Sequence, residues 1–240
     1  MNTTSVPIHG EGHGLGDPIR TRLRDAVFGL QDGLISTVGA LTGIAAGTGD
    51  AGVVVLAGIV IIVVESLSMA AGSYLSSKSQ REYLERLLKE EEHEIHTDPE
   101  KERREIWEMY RVRGYTDAEI EIIAKQLLSD KKLLLEDMAH KELGIFPEAL
   151  EEPAQNALVM GTAYVLGGAI PVLPYLFLPL NHGIAVSVGA TLTALFAFGG
   201  LKGKLVKQVW WRSGLEMLVV AGAAAAVGFF VGRCISMWVG

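Results

Sequence analysis

The chain has 240 residues, of which 49% are apolar, with 28 glycines and a formal net charge of −7. It is too apolar for an ordinary soluble domain and too charged to lie wholly in a membrane, so a mixed, all-α architecture is expected. The acidic balance excludes nucleic acid as a partner, because a phosphate-binding protein needs a basic face.

Residues 1–17 are polar and glycine-rich, without the apolar core of a cleaved signal peptide, so the first span is expected to stay as an anchor and residues 1–19 to form a disordered cytoplasmic tail. His9 and His13 in that tail are bystanders or incidental metal contacts. Since a helix needs about 20 apolar residues to cross a bilayer, five spans are predicted, at 27–48, 53–75, 157–178, 183–201 and 215–235. Residues 49–52 and 179–182 make tight hairpins. This divides the chain into spans one and two (20–78), a cytoplasmic domain of three to four helices (79–153) and spans three to five (154–240).

Basic residues are retained on the cytoplasmic side. Arg20, Arg22 and Arg24 precede span one, Lys78 and Arg81 follow span two, and Lys202, Lys204, Lys207 and Arg212 separate spans four and five, whereas the opposite loops carry no Lys or Arg. The N-terminus and the charged block are therefore expected in the cytoplasm, and the C-terminus on the other side.

Within the spans, charge is expensive and usually functional. Asp32 lies inside span one, where it either snorkels to water or belongs to a polar seam with Gln31, Ser36, Thr37 and Thr42. Span two carries Glu65 and Met69 at i, i+4, expected to be buried on one face among Ser66, Ser68, Ser73 and the small Ala70, Ala71 and Gly72. A thioether beside carboxylates suits transition metals better than calcium or magnesium.

The block 81–152 holds 21 of the 28 acidic residues. Span two is expected to continue as a helix to about Ile95; Thr97-Asp98-Pro99-Glu100 then starts a helix over 100–112, Gly114 to Asp117 leads into one over 118–128, and a last runs over 131–143. Pro147 and Pro153 lead back to the membrane. Glu91 with Glu94, and Glu102 with Glu105, are i, i+3 pairs that each present two carboxylates in one direction. They read as a solvated acidic surface or as a cation site; two such pairs on helices joined by a short turn, with Met138, His140 and Glu142 on the last helix, weaken the first reading. Glu90-x-x-His93 and Asp137-x-x-His140 also echo the Glu-x-x-His spacing of di-iron bundles, which leaves a membrane-anchored ferroxidase as the rival reading. Glu92 and Glu136 are further neighbours. In the last spans, Pro171 and Pro174 are candidate kinks, Trp210, Trp211 and Trp238 interfacial anchors, and the lone Cys234, which permits neither an internal disulfide nor a thiolate zinc cage, a packing residue.

The run Arg24-Asp25-Ala26-Val27-Phe28-Gly29-Leu30-Gln31-Asp32-Gly33-Leu34, followed by Ser68-Met69-Ala70-Ala71-Gly72, resembles the signature of the vacuolar iron transporter family, over about 23–233. The resemblance implies a homodimer of five-helix protomers that exchanges Fe²⁺, and often Mn²⁺ or related divalent ions, for protons, with no permanently bound cofactor. It implies that Asp32 and Met69 line the pathway. It further implies that Glu91, Glu94, Glu102, Glu105, Met138 and Glu142 bind metal. One position departs from the family: many relatives carry Glu where this chain has Ser73, and Glu65 is the candidate replacement carboxylate.

Overall fold

The computed structural model describes residues 18–146, 150–205 and 207–239. Among them are eight α-helices and no strand: α1 (Pro18–Thr48), α2 (Ala51–Thr97), α3 (Pro99–Val112), α4 (Asp117–Ser129), α5 (Lys131–Lys141), α6 (Pro153–Phe177), α7 (Leu180–Leu205) and α8 (Trp210–Val239). Most of the tail expected over 1–19, with His9 and His13, lies outside the described residues, as does Pro147; α1 begins at Pro18. Among the described residues the helices form two compact units, one of residues 22–76 and 153–239, the other of residues 18–21 and 77–152.

In the first unit, five helices are long and apolar enough to cross a membrane: α1, α2, α6, α7 and α8. Helix α2 has 47 residues, which at 1.5 Å per residue is about 70 Å, more than twice the ~30 Å of bilayer hydrocarbon. Only its apolar first half is suited to lipid. Trp210 and Trp211 open α8 and Trp238 closes it, all three exposed. Their separation is about 42 Å along the helix, matching a bilayer with its headgroup regions.

Helix α1 is central. Its Leu41 and Ala45 pack with Val54, Val172 and Tyr175, and its Leu34 packs with Leu195, Met217 and Ala221. Without a hydrophobic force between helices in lipid, close packing of small residues holds such a bundle together. A Cβ at Gly33 would stand 2.4 Å from the Tyr164 carbonyl oxygen of α6, and one at Gly232 only 1.9 Å from the Gly43 oxygen. Helix α6 runs unbroken through Pro171 and Pro174, and Ser187 of α7 donates to the Pro171 carbonyl at 2.7 Å. Cys234 is exposed on α8, not packed within the chain as expected; a lipid-facing side chain of a spanning helix needs no inner partner. Helix α2 likewise leaves Leu56, Val64 and Leu67 exposed.

The second unit is built by capping and amphipathic patterning. Asp98 caps α3, its carboxylate accepting from the Lys101 amide at 3.1 Å, with Pro99 in the first turn. The Thr116 amide donates to Glu119 at 2.8 Å, closing a capping box on α4. Asp130 caps α5, accepting from Lys132 at 3.0 Å. Gly114 and Gly144 end α3 and α5 with φ of 90° and 65°, a conformation most side chains resist. Ile95, Ile106, Tyr110, Ile120, Ala124, Leu127, Leu134 and Met138, spaced three or four apart on their helices, close one core. Helix α5 stops at Lys141 instead of running to 143, which makes Glu142 its C-cap.

Candidate metal site

In the polar unit, Glu91 near the end of α2 and Glu102 in the first turn of α3 are buried, at 6% and 0% exposure. Both oxygens of Glu102 and Oε1 of Glu91 lie beyond hydrogen-bonding reach of any partner. Burial pushes the Glu91 carboxyl up to about 7, reinforced by the negative charge of Glu142, Glu102, Glu94 and Glu105. Burial also pushes Glu102 up to about 7, with Glu105, Glu142 and Glu94 adding to the shift and Lys101 opposing it. Glu142 is raised by shielding of its carboxyl and by Glu105 and Glu94, against Lys101. Five glutamates from α2, α3 and the end of α5 thus act on one another, and all five are among the residues singled out in the sequence.

Met138, the sixth, is wholly buried in the core that also takes Ile95 and Ile106, each one position along its helix from Glu94 and Glu105. Lys101 stands within the group, its ammonium paired with Glu94 and, at 3.3 Å, with Glu105. As the side chains stand, no three His, Cys, Asp or Glu residues among those described are close enough to hold one ion. The chemistry of the donors nevertheless fits a cation: a fully buried carboxylate with no partner is stable only as the neutral acid or beside a positive charge.

The Glu-x-x-His pairs do not converge. Glu90 is exposed and ion-paired with Arg86 at 3.7 Å, and His93, Glu92 and Glu136 are exposed. Asp137 accepts from Tyr110 at 3.0 Å and is paired with Lys141, while His140 stacks on Phe146 with centroids 4.9 Å apart.

In the membrane-type unit, Asp32 is half-buried on α1, and Glu65 of α2 lies near enough to act on its charge. Glu65 is exposed, which corrects the expectation of a buried acid: among the described residues, no helix covers it. Met69, one turn further on, is half-buried. Sequence reasoning missed Tyr164. Its side chain is fully buried, its hydroxyl lies 2.8 Å from the Ser36 hydroxyl, Ser36 donates to the Asp32 carbonyl at 2.6 Å, and the charges of Asp32 and Glu65 both reach it. The signal was its place: Tyr usually sits at a membrane interface, and Tyr164 is near the middle of α6. Ser73 donates to Asp25 at 2.8 Å, and Asp25 is buried and paired with Arg24 at 3.3 Å. A hydroxyl at position 73 therefore satisfies a buried carboxylate that a second carboxylate would repel.

The VIT family model matches residues 23–233. The chain belongs to the VIT family. It is similar to Vacuolar iron transporter 1 of Arabidopsis thaliana, with 31% identity over 97% of this chain and 92% of the relative. It is 32% identical to Vacuolar iron transporter of Centaurea cyanus, over 86% of this chain and 85% of the relative, and 30% identical to Protein CCC1 of Saccharomyces cerevisiae, over 87% and 67%. Membership in this family, with five helices of spanning length and apolarity, makes the chain an integral membrane protein.

Proposed function

We propose that this VIT-family protein is a transporter, not an enzyme, that carries divalent transition metal, Fe²⁺ and with it Mn²⁺, out of the cytoplasm into a vacuole or out of the cell in exchange for protons. The observation that carries the reading is Glu102: an orphaned, fully buried carboxylate coupled by charge to Glu91, Glu94, Glu105 and Glu142, in a family whose relatives are named iron transporters. Domain 79–153, on the cytoplasmic side by the positive-inside rule, gathers the ion; Glu91, Glu94, Glu102, Glu105, Met138 and Glu142 are its ligands. Asp32 and Met69 line the membrane step, with Glu65 supplying a further carboxylate. The outward face of α2 that bears Glu65 and Ser68 meets a second protomer in a homodimer.

Proton coupling follows from carboxylate chemistry. A cation lowers the pKa of the carboxylates it binds, and a proton weakens their hold on the cation. Metal arriving from the cytoplasm expels protons, and protons from an acidic far side release metal. In liposomes, Fe²⁺ and Mn²⁺ should each drive a metal-dependent pH change across the membrane; metal uptake with no proton movement would remove antiport. Glu65→Gln should reduce that flux, and unchanged transport would remove Glu65 from the pathway. The ferroxidase reading is not favoured, because the His-bearing pairs are exposed or engaged elsewhere.

A further inference from the structure

Among the carboxylates proposed to gather metal stands one cation of the protein's own. Lys101 belongs to α3, yet its ammonium bridges Glu94 of α2 and Glu105 of its own helix, at 3.3 Å from the latter. Other basic side chains nearby serve the surface: Arg86 pairs with Glu90 and Arg103 with Glu121. Among the described basic residues, Lys101 is the one whose charge acts on Glu102 and Glu142 as well as on its direct partners.

We propose that Lys101 is a tethered surrogate cation, which holds Glu94 and Glu105 until a divalent ion displaces its ammonium and takes both carboxylates. The proposal rests on the reading of this cluster as a metal site. Three features make the exchange feasible. The Lys101 amide is held by the Asp98 cap at 3.1 Å, so the backbone stays in place and only the four-carbon stem has to swing. The side chain is 40% exposed, giving the ammonium a path to water. An ion pair that exposed is weak and exchangeable, and lysine is a point charge on a flexible stem, without the two-pronged carboxylate grip of arginine.

Charge and geometry then favour the exchange. One ammonium bridges two carboxylates at the rim and leaves Glu102 and the Glu91 Oε1 without partners. A divalent ion brings twice the charge without a stem and binds several oxygens at once. The lysine also imposes a threshold. Monovalent ions gain too little to displace it, and every divalent ion binds more weakly than five glutamates alone would allow, as suits a site that must pass its ion on.

The test is calorimetric titration of the full-length protein in detergent with Co²⁺, comparing wild type, Lys101→Gln and Arg104→Gln. Arg104→Gln removes the same charge from the exposed face of α3. Lys101→Gln should bind about tenfold more tightly, the order expected for releasing two weak pairs, and Arg104→Gln should change affinity less than about threefold on general field grounds. Equal or weaker binding by Lys101→Gln, or equal tightening by Arg104→Gln, overturns the proposal while leaving the metal site intact. Absence of Co²⁺ binding by both wild type and Lys101→Gln overturns the metal site itself. A second measurement needs no variant: acylation of Lys101 in the wild-type protein, followed by mass spectrometry, should speed up several-fold when Co²⁺ is added. A rate that is unchanged or slower overturns the displacement.

Discussion

A carboxylate removed from water must be neutral or paired, and Glu102 is fully buried with both oxygens unpartnered. Replacing it by glutamine keeps the shape and removes the charge. Glu102→Gln should therefore preserve the fold and lower metal affinity roughly 10- to 100-fold, the usual scale for losing a metal-site partner; titration of the intact protein checks both. Asp32→Asn should abolish proton-coupled iron uptake into inside-out vesicles, and flux at the wild-type level would exclude a central role for it. At this scale the two acidic pairs were legible because the helical repeat alone aims Glu91 with Glu94 and Glu102 with Glu105. What the repeat does not encode is that Glu91 and Glu102 turn inward while Glu142 stays at the solvent edge. The importance of Lys101 and Tyr164 lies in partners 7 and 128 positions away, and only the mid-helix place of Tyr164 left a sign of it in the sequence.

Helices in this protein are held by two different devices, and each has its own sensitivity. In the membrane-type unit the contact is backbone against backbone. A valine at Gly33 would meet the Tyr164 oxygen at 2.4 Å and the Gly168 nitrogen at 2.9 Å, neither of which is a movable side chain. Gly33→Val should abolish the monodisperse folded protein in size-exclusion chromatography, whereas Gly189→Ala on α7, with nothing within 4 Å, should be neutral or slightly stabilising. In the polar unit the ends are set by caps. Asp98→Ala should cost about 1 kcal/mol, visible as faster amide exchange in the first turn of α3. Helix existence and order were readable from apolar length, Asp-Pro and Gly punctuation. The exact ends were less so: α5 stops two residues early because Gly144 turns the chain with φ of 65°, and the glycine contacts between α1 and α6 have no sequence signature of partner.

For the molecule as a whole, the raised carboxyls couple stability to pH and metal. Glu91 and Glu102 have folded pKa values near 7 against 4.5 unfolded, so between those values the folded state holds more protons and stability falls as pH rises. The metal-free protein should be more resistant to heat at pH 5 than at pH 8, and added Fe²⁺ or Co²⁺ should raise the unfolding temperature more at pH 8 than at pH 5. Thermal scans at the two pH values, with metal and with chelator, would show no such difference if these carboxyls were ordinary surface acids. The sequence by itself determined that the chain is helical, that five segments are apolar enough to span a bilayer, and that acidic residues collect in one block, because length, hydropathy and charge are local properties. Only the tertiary structure decided which carboxylates lose water, that Glu65 stays uncovered, that Ser73 serves Asp25, and that a lysine bridges two carboxylates at the rim of the acidic cluster. Burial and pairing arise between helices, and side chains distant in the chain set them.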